Sequence, residues 1–103
     1  MNAIEARPWE QVPARLTALA SGIEARQPAQ AIMGLLEHTR SSCQEAVGTA
    51  RAHALKPLLA QVETAARTWQ QVWPRLGGDR EFRLAVAREA RLWAKRLAEE
   101  AAR

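Results

Sequence analysis

The side chains best suited to chemistry in this chain are cations. The closing stretch carries Arg80, Arg83, Arg88, Arg91 and Lys95. On a helix turning about 100° per residue they fall within an arc of about 140°, away from Phe82 and Trp93. Lys56 and Arg67 share an outer face of the preceding helical segment, with Ala60 and Thr64 between them. Small residues between cations let a phosphate backbone come close, and every phosphate neutralised releases counterions. Lys56, Arg67, Arg88, Arg91 and Lys95 are therefore the candidate contacts to nucleic acid. The same pattern also describes a solvated helix face, because Glu63, Glu81, Glu89, Glu99 and Glu100 are interspersed and can pair with Arg at i, i+4. Four tryptophans without a tyrosine could offer rings for base stacking. Trp69, Trp73 and Trp93 lie on apolar stripes, so core packing is the expectation for them. Trp9 stands outside any stripe and reads either as an N-terminal staple or as a partner contact.

Groups for covalent chemistry are scarce. Cys43 falls in an expected first helical turn, where the helix dipole favours a thiolate. A nucleophile also needs a base and a group that orients it. The chain offers only His38 and His53, so Cys43 reads as a small, half-buried side chain. Two His and one Cys do not close a zinc site. Gly77-Gly78 is followed by Asp79, a helix stop and a cap rather than a phosphate loop. No catalytic residue, metal or cofactor is expected. One string, Arg51-Ala52-His53-Ala54-Leu55-Lys56, resembles the Ala-His-x-Leu-Lys-Gly motif of histidine phosphotransfer domains. That resemblance implies a phosphoryl group on His53 held by Lys56, although Pro57 stands where the family has Gly. The alternative is an exposed helical histidine.

The elements that must position these groups all read as helix. Ala and Arg abound, β-branched residues are few, and no stretch alternates as a strand does. A first helix is expected from about Pro13, with Leu16, Leu19, Ala20 and Ile23 inward. A second runs from Pro28 to about Thr39, burying Ala31, Ile32, Leu35 and Leu36. Ser42 and Glu45 form a capping box that would open a long helix over 43–73. Its stripe is Leu55, Leu58, Leu59, Val62, Ala66, Trp69 and Trp73, with a kink or break expected at Pro57. Trp73-Pro74 would close it. Asp79 caps the last helix, 80–102, whose stripe is Phe82, Val86, Ala90, Trp93 and Leu97. The expected fold is all-α, a single bundle of four to five helices spanning residues 1–103.

Composition narrows the functional classes. Of the 103 residues, 48% are apolar, and 22 of these are Ala, so the larger apolar side chains can fill one modest core. Fifteen Lys and Arg face eleven Asp and Glu, a net charge of +4. Residues 1–40 hold four acids and four bases, so the excess lies entirely in 41–103. That balance suits an anionic partner. No stretch approaches the ~20 apolar residues of a membrane span, and the N-terminus has no apolar signal region. A lone cysteine makes the reducing cytoplasm the expected compartment.

Two stretches resemble one family. Ile23 through Leu36 (Ile-Glu-Ala-Arg-Gln-Pro-Ala-Gln-Ala-Ile-Met-Gly-Leu-Leu) resembles the early motif of small subunits of type III (Cmr-type) CRISPR effector complexes. In that motif an apolar helix ends in a Gly-Leu turn and a second helix follows. Gln27-Pro28 replaces the Gly-Leu here, and Gly34 replaces a bulky residue. Trp93-Ala94-Lys95-Arg96-Leu97-Ala98 resembles the family's terminal helix. The resemblance implies a non-catalytic helical subunit that stacks in several copies along a guide–target duplex. It would contact the guide RNA and target nucleic-acid backbone together with other effector subunits. A small helical adaptor or inhibitor, its basic arc meeting an acidic protein, is the reading from a different class.

Overall fold

The computed structural model describes residues 8–49 and 55–102. Four helices follow one another: α1 (Pro8–Glu24), α2 (Ala29–Val47), α3 (Lys56–Leu76) and α4 (Arg80–Ala101). Among the described residues there is no strand. The all-α bundle expected from the stripes is the fold observed. Neighbouring helices run antiparallel, with α1 packed along α4 and α2, and α2 packed along α3. The fourth seam, α3 against α4, is sparse. The core is built of Leu16, Leu19, Ile32, Leu36, Leu59 and Val62, each at most 1% exposed.

Several helix ends differ from the sequence expectation, each for a physical reason. α1 begins at Pro8, and Pro13 lies inside it. Pro13 sits close enough to the start that its missing N–H forfeits a single ladder bond, to the Trp9 carbonyl. Trp9 in that first turn is half-buried against the core. α2 runs unbroken through Ser42 and Glu45, so the expected capping box does not form. An apolar stripe passes straight through it: Leu36, Thr39, Cys43 and Ala46 are all fully buried. The Thr39 hydroxyl donates to the Leu35 carbonyl four residues back, at 2.8 Å, which satisfies it within the helix. The expected 43–73 helix is thus two elements. Pro57 falls in the first turn of α3, where a missing N–H costs nothing. α3 continues past Pro74 to Leu76. The Asp79 cap is as expected, its carboxylate accepting from the Phe82 N–H at 2.9 Å.

The two turns at one end of the bundle show opposite solutions. After α3, Gly77 is required by space, because a Cβ there would meet the Trp73 indole nitrogen at 2.5 Å. After α1, Gln27 N–H reaches the Gly22 carbonyl and Arg26 N–H reaches that of Ile23, at 3.1 Å each. This is a Schellman ending, whose left-handed position normally takes Gly. Here it is Arg26, at φ 60°. An L-residue in that conformation costs about 1–2 kcal/mol.

Candidate polyanion interface

The outer face of α4 follows from its register. Val86, Ala90 and Leu97 are buried, which turns Arg80, Leu84, Arg88, Arg91, Lys95 and Ala98 outward, and all six are exposed. They occupy a sector of about 80° at 100° per residue, and no Asp or Glu falls within it. Glu81, Glu89 and Glu99 lie on the flank that turns toward α3. Beside the basic sector, Pro13, Ala14, Thr17 and Ala18 of α1 and Ala94 and Ala98 of α4 form an open trough of about 670 Å³. Its rim carries Arg91 and Lys95.

The five candidate residues do not form one patch. Arg91 reaches across to α1, where both its Nε and Nη2 donate to the Glu24 carboxylate, the former at 3.1 Å. It also donates to the Ser21 hydroxyl at 3.3 Å. The Arg91 guanidinium holds the Glu24 carboxyl below its usual range, and Glu24 in turn raises Arg91. Arg67 is paired within its own helix, with Glu63 at 2.6 Å. Lys56, Arg88 and Lys95 are exposed and form no ion pair among the described residues. Lys56 and Arg67 share a helical stripe with Gln70, and Gln70 donates to Glu37 of α2 at 2.9 Å. The α3 cations therefore lie on the α2–α3 side of the bundle, and the α4 cations on the α1–α4 side. Arg83, counted in the same arc by periodicity, is half-buried at the turn end instead.

The tryptophans divide as well. Trp69 and Trp73 are 8% and 4% exposed, as their stripes require. Trp93 is only half-buried, and the Arg96 guanidinium lies 4.8 Å from its ring centroid. The expectation of a fully packed Trp93 is corrected accordingly. The α3–α4 seam is sparse, and a cation lies over the ring. Leu84 and Leu92, 45% and 53% exposed, stand between the cations of the ridge Arg80, Leu84, Arg88, Leu92, Arg96. The i+4 spacing of these five residues is the sequence signal that marks Leu84 and Leu92 on the ridge.

The remaining chemical candidates recede. Cys43 sits in the middle of α2 rather than in a first turn, and it is fully buried. Burial first, and the Glu63 charge second, push its thiol up to about 12, so the expected thiolate-favouring position is overturned. His53 lies outside the described residues, and His38 is exposed on α2. Among the described residues no group of three His, Cys, Asp or Glu could hold a metal ion. No helix of the described residues is long and apolar enough to cross a membrane. Compared with known protein families, curated proteins and solved structures, the chain matches none.

Proposed function

We propose that this chain is a non-catalytic interaction subunit that meets a nucleic-acid backbone through the outer face of α4. The observation that carries this reading is the sector of α4 that holds Arg80, Arg88 and Lys95 with no acid of its own, beside a trough of small side chains. Cations spaced along one helix can follow a phosphate chain, and alanines beside them leave room for it. The specific form we propose is a small subunit of a CRISPR ribonucleoprotein effector complex in the cytoplasm, present in stacked copies. Support for that form comes from the two resembling stretches. The first folds as the end of α1, a turn and the start of α2, and the second as the end of α4 with Lys95 and Arg96 outward. In such an assembly base pairing reads sequence, and the protein needs only backbone contacts.

The test is anisotropy of a labelled single strand, RNA and DNA in turn, across a salt series. Arg88→Ala with Lys95→Ala is expected to weaken binding about tenfold at low salt. It should also reduce the salt slope by about 0.7 per lost contact. An unchanged slope overturns the assignment. Exposed Leu84 and Leu92 favour a second reading, an adaptor whose basic ridge docks on an acidic protein surface. An unlabelled random oligonucleotide displaces the partner of a nucleic-acid binder and leaves an adaptor's complex intact.

A further inference from the structure

A cavity of about 250 Å³ lies between the α1–α2 turn and the α3–α4 turn, away from the outer face of α4. Its lining has no Asp or Glu and includes Arg26, Gln27 and Arg83, and Ala29 brings in the first turn of α2. Neither arginine forms an ion pair among the described residues. Of the acids next to Arg83 in sequence, Asp79 spends its carboxylate on the Phe82 N–H, and Glu81 does not line the cavity. The α2 N-terminus adds positive potential, since Pro28 gives it no side-chain cap. Ile23, Ile32 and Trp73, all buried, form its floor, and Ala29 and Pro74 are its exposed apolar lining.

Arg26 is the independent clue. It occupies the left-handed position that ends α1, at φ 60°, where Gly would sit without strain. A strained residue in an otherwise regular turn points to a use for its side chain. Arg26 lines the cavity together with Arg83, a second arginine without an ion pair among the described residues.

We propose that this cavity binds a small phosphomonoester, with Arg26 and Arg83 holding the phosphate and the exposed Ala29 and Pro74 flanking a compact apolar body. Two guanidinium forks and a helix N-terminus match a dianion better than a single negative charge. The volume is below that of drug-sized pockets, so the body is no larger than about one ring. The inference is independent of the nucleic-acid reading and uses different residues.

The experiment is titration of the ¹⁵N-labelled protein with phenyl phosphate, followed by amide shifts. Saturable shifts are expected at Ala29, Gly77 and Gly78 and at the Trp73 indole. Arg26→Gly should raise the Tm by relieving the turn, yet weaken phenyl phosphate about tenfold or more. A merely structural Arg26 predicts the higher Tm with unchanged affinity, which overturns the proposal. Arg83→Gln should weaken binding similarly. No saturation with a Kd tighter than about 10 mM overturns it too, as do shifts confined to the outer face of α4. Inorganic phosphate is expected to bind several-fold more weakly. Equal affinity would overturn the role given to Ala29 and Pro74.

Discussion

α4 packs on two neighbours in two ways. Against α1 it presents the small residues Ala87, Ala90 and Ala94, of which the first two are at most 1% exposed. Alanines bring the axes close, and the seam runs along both helices. Toward α3 it presents aromatics. Phe82 meets Trp73 at a centroid distance of 5.6 Å and a tilt of 52°, and Trp93 follows farther along, half-exposed under Arg96. Large rings hold the axes apart, and the seam is sparse although only Gly77, Gly78 and Asp79 separate the two helices. A short connection therefore does not guarantee a tight interface. Side-chain volume decides, and the loose seam is left with partly exposed aromatic surface.

The sharpest way to break this comparison is to exchange the seams' characters. Ala90→Leu adds three carbons at a fully buried site in the tight seam. It should cost about 1–3 kcal/mol, or more if α1 cannot shift, as measured by urea unfolding. Trp93→Leu removes volume where the packing is already open, and with it the Arg96 contact. It should cost about 1 kcal/mol or less. If the two variants are equally destabilised, the two seams do not differ in tightness and the account of the fold fails with them.

The same contrast explains what could be read from the sequence. Of the expected α3 stripe, Leu55, Leu59, Val62, Ala66, Trp69 and Trp73 are buried as their spacing demands while Leu58 is half-buried, and Asp79 caps α4. Both are local signals within one element. Ser42 and Glu45 misled because a cap motif is local while burial of the Leu36–Ala46 stripe is a tertiary gain that outweighs it. Trp93 fits its stripe by periodicity, but periodicity carries no information about how closely a neighbouring helix approaches. The candidate interface was half legible. The outward side of Arg88 and Lys95 follows from the helix period. The engagement of Arg91 by Glu24, 67 positions earlier, does not. Arg26 was equally hidden, since Glu-Ala-Arg-Gln-Pro lacks the Gly that announces a left-handed helix ending.

The smallest effect on stability, and the most informative for the interface, is expected from Glu24→Gln. Glu24 and Arg91 are both exposed, so their pair contributes little to folding. Its pH signature has a definite sign. The folded protein holds the Glu24 carboxyl below its ordinary value of 4.5. The pair's contribution is thus present above that value and is lost as pH falls through the lowered one. Glu24→Gln should accordingly show a slightly smaller loss of Tm than the parent between neutral and acid pH. For binding the direction reverses. With its carboxylate partner gone, Arg91 joins Arg88 and Lys95 at the edge of the α1–α4 trough as a free cation. One more phosphate can then be neutralised. Affinity for a single strand at low salt should rise, and the salt slope should steepen by up to about 0.7. The tight seam makes this a clean test, because α1 stays packed on α4 when the pair is removed and Arg91 keeps its place. If binding falls, the Glu24 clamp is holding Arg91 in a productive pose and the sector works as an ordered array. If nothing changes, Arg91 lies outside the path of the strand, and the trough is not where the backbone runs.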